Sequence, residues 1–274
     1  MRRLLALLVI TIALGIASCS NADPHKDPFA AYHRGDHATA LSLWKPLATQ
    51  GHASAQTNLG FMYANGQGVP QDDKEAVRLF RLAGAQGHAE AQHNLGTMYR
   101  DGKGVPKDDK DALRLFGLAA AQGYANAQSA LGYMYDEGLG VPKDYPEAAR
   151  LYGLAAAQGN AGAQFNLGSM YSNGRGVPQD YKEAVRLYGL AATQGNGGAQ
   201  NNLGYMYGRG EGVPQNYARA YMWFNLAASS LSGEDGKQVI NNRDVIAAKM
   251  TPAQIEQAQE MARKCQASNF KNCD

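Results

Sequence analysis

Cysteine is scarce, with three residues in 274, at positions 19, 265 and 273. That scarcity excludes a disulfide-dense miniprotein. Neither sign of charge dominates: 26 Lys and Arg face 24 Asp and Glu, and the balance is even once Arg2 and Arg3 are set aside with the N-terminal segment read below as removable. A near-neutral chain lacks the basic footprint of a nucleic-acid ligand, so no nucleic-acid partner is expected. Long hydrophobic runs are missing too. The longest, Leu4 to Ile16, has 13 residues and is broken by Thr11 and Gly15, which is short for crossing roughly 30 Å of hydrocarbon. Histidine stops early, with all six residues at or before position 93. His33 and His37 have helical spacing, but Gly35 and Asp36 lie where a turn is expected and no third ligand is evident, so neither a metal site nor a cofactor is expected.

What is present begins with an export signature. Arg2-Arg3 followed by the Leu4–Ile16 run fits the charged and apolar parts of a secretory signal. The run ends in Ile16-Ala17-Ser18-Cys19, which resembles the bacterial lipobox. That resemblance implies a signal peptide over 1–18, a lipidated Cys19 as the mature N-terminus, and a polar linker over 19–28. An ordinary signal cleaved nearby and an uncleaved anchor are the alternatives. Acyl chains contribute roughly 0.8 kcal/mol per buried methylene, so the membrane would be engaged only through this lipid anchor. By resemblance to Gram-negative lipoproteins, Ser20 after the cysteine implies an exported, periplasmic protein held at the outer membrane if the organism is Gram-negative.

The rest of the chain repeats itself. Five blocks of 36 residues, 53–88, 89–124, 125–160, 161–196 and 197–232, align without a gap on A-x-A-Q-x-x-L-G-x-M-Y, then G-x-G-V-P, then an alanine-rich stretch usually ending in Q-G. In each block apolar residues fall at helical spacing, as at Ala55, Leu59, Met62 and Tyr63, until Gly66 and Gly68 interrupt them. A second helix is predicted after Pro70. Asp72 caps it, with Glu75 at its third position, and the spacing recurs at Asp108/Asp111, Asp144/Glu147 and Asp180/Glu183. Asn216/Arg219 departs from this, so the fifth second helix should start less firmly. Gly87, Gly123, Gly159 and Gly195 are placed to end these helices. Gly60, Gly96, Gly132, Gly168 and Gly204 sit mid-helix, where glycine costs about 1 kcal/mol relative to alanine, and that cost implies a close helix contact. One hairpin cannot bury its own apolar face, whereas stacked neighbours can, so the repeat predicts an all-α solenoid.

The frame A-x-A-Q-x-x-L-G-x-M-Y-x-x-G-x-G-V-P resembles the Sel-one-like repeat family, relatives of tetratricopeptide repeats. The resemblance implies a right-handed α-solenoid of antiparallel helix pairs with helical caps. Residues 29–52 resemble a partial leading repeat or cap. At the other end, 233–274 reads as capping helices and a tail: Gly236 to Met250 is predicted helical, and Thr251-Pro252-Ala253-Gln254 opens another helix with a capping box. Ile255, Ala258, Ala262 and Cys265 share a face of that helix. Cys265 and Cys273, close in an exported chain, are expected to form a disulfide, with two free thiols as the alternative.

Chemistry-bearing motifs are weak. Ser42-Leu43-Trp44-Lys45 matches the S-x-x-K of penicillin-recognising enzymes, but no S-D-N or K-T-G accompanies it. G-x-G-V-P follows a helix and reads as a turn, not a phosphate loop. Arg78, Arg114, Arg150 and Arg186 recur, each three residues after an acid, as a charge-paired face. Positions that change between blocks are free to serve a ligand. On the first helices these are Thr57/Phe61, His93/Thr97, Ser129/Tyr133, Phe165/Ser169 and Asn201/Tyr205, each pair on one helix face. By resemblance to the tetratricopeptide superhelix, first helices line the concave side, which makes these ten residues the candidate groove. No catalytic residue is expected. The reading is a non-enzymatic scaffold, adaptor or regulator binding a protein or peptide in the cell envelope. A β-lactam-binding or cell-wall enzyme and a structural envelope spacer are the rivals.

Overall fold

The computed structural model describes residues 27–271 and 273. The signal segment, Cys19 and most of the linker lie outside these residues. Among the described residues there are fourteen helices and no strand. Helices α1 (Pro28–His33) and α2 (His37–Thr49) lead into five pairs. These are α3 (Ala53–Asn65) with α4 (Asp73–Ala85), α5 (Ala89–Asp101) with α6 (Asp109–Ala121), and α7 (Ala125–Glu137) with α8 (Tyr145–Ala157). Then come α9 (Ala161–Asn173) with α10 (Tyr181–Ala192), and α11 (Gly197–Arg209) with α12 (Tyr217–Ser230). Helices α13 (Gly233–Ala247) and α14 (Pro252–Ala267) close the chain. From α1 to α13 each helix packs on its successor, whereas α14 folds back on α12. The result is an all-α solenoid.

Local chemistry sets the helix limits. Asp72 Oδ1 accepts from the Lys74 and Glu75 amides, Asp108 and Asp180 cap α6 and α10 in the same way, and Asp144 caps α8 through the Glu147 amide alone, Pro146 having no N–H to give. Asn216 Oδ1 accepts from the Arg219 amide at 3.0 Å, the distance Asp144 Oδ1 shows to the Glu147 amide. The cap bond is thus kept in α12, while its first turn lacks the acidic residue that the other second helices place there. The Thr251–Gln254 capping box forms as expected.

The mid-helix glycines are contact points. A Cβ added to Gly96 would stand 2.8 Å from the Phe116 ring, and one added to Gly204 would stand 2.6 Å from Phe224. The close contact implied by the helix-propensity penalty is thus an aromatic side chain of the second helix laid across the first. Each repeat's core touches only neighbouring repeats. At the N-terminal end, Ala31, Ala40 and Trp44 close that core against Leu59 and Met62.

A second set of repeated contacts ties the stack together. Gln56, Gln92, Gln128, Gln164 and Gln200 are all buried. Each donates from Nε2 to a carbonyl at the end of the preceding second helix, as Gln164 does to Ala156 at 3.1 Å. For the first four, Oε1 accepts from the glutamine of the Q-G dipeptide in the same repeat: Gln86, Gln122, Gln158 and Gln194, at 2.8–2.9 Å. Ser230 stands where the next donor would be, and Gln200 Oε1 is buried without a partner. Gln164→Met, which breaks two bonds, should cost roughly 2 kcal/mol, since a net hydrogen bond is worth about 1 kcal/mol and a stranded buried group costs more. Gln200→Met also removes an unsatisfied oxygen and should stay within about 1 kcal/mol of wild type. Urea denaturation of both variants checks this, and equal losses would contradict it.

Candidate partner-binding face

The first helices present a repeated face whose geometry splits the ten predicted residues into two rows. The upper row packs against the second helix of its own repeat and the residues at the start of the following first helix. Thr57 is only 2% exposed, and its hydroxyl both donates to the Ala53 carbonyl at 2.9 Å and meets His88 Nδ1 at 3.1 Å. His93 lies between the Phe116 and Tyr124 rings, with centroids 5.4 and 5.5 Å away, and its Nδ1 is buried without a partner. Phe165 packs on Tyr188, and a Cβ on Gly198 would approach its ring to 3.1 Å. Ser129 and Asn201 are half-buried, and Asn201 Oδ1 is enclosed without a partner. The expectation that all ten residues line an open groove fails at Thr57, which is buried; His93 and Phe165 are half-buried against these neighbours. All three share a helix face with their i+4 partners, but the start of the following first helix packs against that end of it.

The lower row is open. Phe61 and Tyr133 are each 43% exposed, and Thr97, Ser169 and Tyr205 are half-buried along the same line. Tyr205 stands edge-on to Phe224 at 5.3 Å, with the Arg209 guanidinium 5.6 Å from its ring centroid. It separates two clefts. One, about 190 Å³, is largely apolar and is walled by Phe224 of α12 and by Val245 and Ile246 of the C-terminal cap. The other, about 220 Å³, is polar and is lined by Ser169, Ser172, Asn173, Asn202 and Arg209. Ser172, Asn173 and Arg209 were not among the predicted residues. They occupy the i+7 and i+8 continuation of the same helix face and also change between blocks, so the same criterion carried one turn further would have reached them.

One ion pair on this side crosses between repeats. Arg175 Nη2 meets Asp136 Oδ2 at 2.8 Å, and the guanidinium also lies 5.1 Å from the Tyr145 ring centroid. Burial raises the Asp136 carboxyl above its ordinary pKa, and Arg175 opposes that rise. Burial likewise pushes the Tyr152 phenol up, with the Asp136 charge adding to it. The pair fixes one inter-helix loop against the preceding repeat.

The weaker motifs gather no chemistry. Ser42 and Lys45 are exposed on α2, and the Ser42 hydroxyl donates to the Thr39 carbonyl at 2.8 Å. Gly35 breaks the chain between His33 and His37, at φ +80°. Among the described residues no group of three or more His, Cys, Asp or Glu could hold a metal ion, and no helix is long and apolar enough to cross a membrane. Three of the four ladder arginines hold a glutamate through two bonds of 2.6–2.8 Å. Cys265 and Cys273 are joined, with Cα atoms 4.5 Å apart.

Residues 53–88, 89–124, 125–160, 161–196 and 198–230 each match the model of the Sel1 repeat. The chain belongs to the Sel1 repeat family. Sel1 repeats generally serve as protein–protein interaction scaffolds. Among solved structures, the Sel1 repeat protein from Oxalobacter formigenes is 32% identical, covering 88% of this chain and 99% of that one, with a TM-score of 0.74. A protective antigen present in uropathogenic Escherichia coli strains, displaying an SLR fold, is 26% identical over 89% of this chain and 62% of that one, with a TM-score of 0.57. No curated protein matches the chain.

Proposed function

We propose that this Sel1 repeat protein is a non-enzymatic adaptor of the bacterial cell envelope, exported, tethered through a lipid on Cys19, and binding a protein or peptide partner along the open row of its first helices. The observation that carries the reading is the row itself. Phe61 and Tyr133, large side chains that helix packing does not require, each stand 43% exposed on a rigid frame, with Tyr205 between two clefts at its end. Aromatic anchors among hydrogen-bonding neighbours suit recognition of a partner segment, and a preformed surface keeps the ordering cost low. The open stacking of hairpins supports binding over catalysis. In α2 the Ser42–Lys45 pair faces solvent without the enclosing pocket an activated serine requires.

The test is photocrosslinking in the native envelope from positions 133 and 205, followed by capture with the triple variant Phe61→Ala/Tyr133→Ala/Tyr205→Ala. The same partner should crosslink at both positions, and the triple variant should bind it at least about tenfold more weakly while keeping its helical circular dichroism. Unchanged capture would leave the protein a structural spacer. Covalent labelling by a fluorescent penicillin that Ser42→Ala removes would establish the enzymatic rival. Globomycin-sensitive processing, lost on Cys19→Ala, checks the tether.

A further inference from the structure

The second helices carry a repeated surface of their own on another side of the solenoid. Leu82, Leu118, Leu154 and Leu190 occupy one position of the repeat and are 41–45% exposed, an unusual state for leucine repeated four times. The fifth residue of the series, Leu226, is only 2% exposed. It is covered by the chain's own C-terminal segment, packing in one cluster with Ala262, Cys265 and Cys273. Met222, fully buried beneath the same segment, takes the position that Arg78, Arg114, Arg150 and Arg186 hold in the earlier repeats.

Beside these leucines lie clefts walled by two successive second helices and floored by the first helix between them. Between repeats four and five the floor and far wall are Leu203, Tyr207 and Trp223; Lys271 and Cys273 of the tail line the cleft as well, and about 260 Å³ remains. Phe270 stands at the edge, 3.7 Å from where a Cβ on Gly195 would be. Between repeats one and two, the corresponding floor and wall are Leu95, Tyr99 and Leu115. That cleft is lined by those two repeats alone and measures about 560 Å³. The same architecture is therefore seen with a peptide segment of this protein seated on it in one place and open in another.

Each copy is lined by two cations, Arg186 and Lys271 in the covered one and Arg81 and Arg114 in the open one, but at different positions. Arg81 and Arg114 stand where the covered copy has Gly189 and Met222. Repeats two, three and four have Gly117, Gly153 and Gly189 at the Arg81 position, so this cation is particular to the first cleft. The Arg81 guanidinium is held over the opening by a 2.8 Å bond to the Tyr99 hydroxyl. Arg114 is the most loosely held of the ladder arginines. Its partner is the shorter Asp111, which accepts through one oxygen at 3.3 and 3.4 Å.

We propose that the cleft between repeats one and two is a second docking site, taking a peptide segment of a partner protein in which apolar side chains adjoin carboxylates. The apolar part seats on Leu95, Leu115 and Leu118, as the chain's own tail seats on the equivalent surface, and the carboxylates meet Arg81 and Arg114. The site is independent of the first-helix row.

The probe is a fluorescent decapeptide with a central Leu-Phe pair flanked by Asp and Glu, titrated by anisotropy into the oxidised mature chain. Controls are the same peptide with Lys flanks and with Gly-Ser in place of Leu-Phe. Saturable binding is expected for the acidic apolar peptide, weakened at least about tenfold by either control change and by Arg81→Gly or Leu118→Ser. Arg81→Gly restores the residue three other repeats carry, and Leu118→Ser alters an exposed position, so both variants should fold. The triple first-helix variant should bind the probe normally, which separates failure of this proposal from failure of the first-helix reading. No saturable binding, equal binding by Arg81→Gly, or association only with anionic phosphatidylglycerol vesicles would overturn it.

Discussion

Gly140→Ala is expected to cost about 3 kcal/mol or more of stability, while Gly153→Ala, thirteen residues later, is expected to raise stability by about 0.5–1 kcal/mol. Gly140 is the second glycine of its G-x-G-V-P turn. Its φ of +69° is a left-handed conformation, and an added Cβ would stand 2.6 Å from the Asp109 carbonyl oxygen in the first turn of α6. Gly104 and Gly212 make the same approach to Asp73 and Tyr181. The turn is therefore the point at which each repeat rests on the second helix of the one before. Alanine there suffers twice, through a left-handed backbone and through contact with a backbone that cannot rotate away. Gly153 lies inside α8 with nothing within 4 Å of the added methyl, so only the helix-propensity gain remains. Urea denaturation of the two variants measures both signs. Because repeats contact only their neighbours, hydrogen exchange in Gly140→Ala should lose protection first between repeats two and three. Equal stabilities would refute the docking role of the turn.

Acidification should destabilise the fold through His93. Its burial against Phe116 and Tyr124, helped by the Arg100 charge, lowers its pKa from 6.5 to about 4. The unfolded chain therefore binds the proton more readily. Stability from this group is complete above pH 6.5 and is lost as pH falls from there to about 4, by on the order of 3 kcal/mol. Asp136, whose pKa is raised by burial, and Glu147, whose pKa is lowered chiefly by its bond to Arg150, also titrate toward acid pH. The difference between wild type and His93→Leu isolates the histidine. Thermal melts from pH 7.5 to 4 should show wild type losing stability relative to His93→Leu across this window, and parallel curves would rule the effect out.

The helices were legible before any coordinates. Asp caps, turn glycines and apolar spacing are local signals, and the 36-residue period repeated them until chance was excluded. The glycine at Gly96 was legible as a contact, although not as a contact with Phe116. The open face was only half legible. Spacing of i and i+4 places Thr57 and Phe61 together on α3, but one helix's periodicity carries no information about which end of its face neighbouring helices cover. The buried glutamines were visible as letters of the frame. Their role was not, because Gln56, Gln92, Gln128 and Gln164 each bond to residues 8 behind and 30 ahead, and Gln200 to the one 8 behind. The fate of Leu226 was similarly hidden, since its 36-residue relatives are exposed and only the return of α14 buries it.

Sequence alone thus determined the repeat, its helices and their stacking, because these follow from signals within a few residues or from the period itself. Tertiary structure alone decided which faces remain open, which cleft the tail occupies and where His93 is enclosed. Those outcomes depend on which distant segment excludes water from a surface, and residue order along one helix does not encode that.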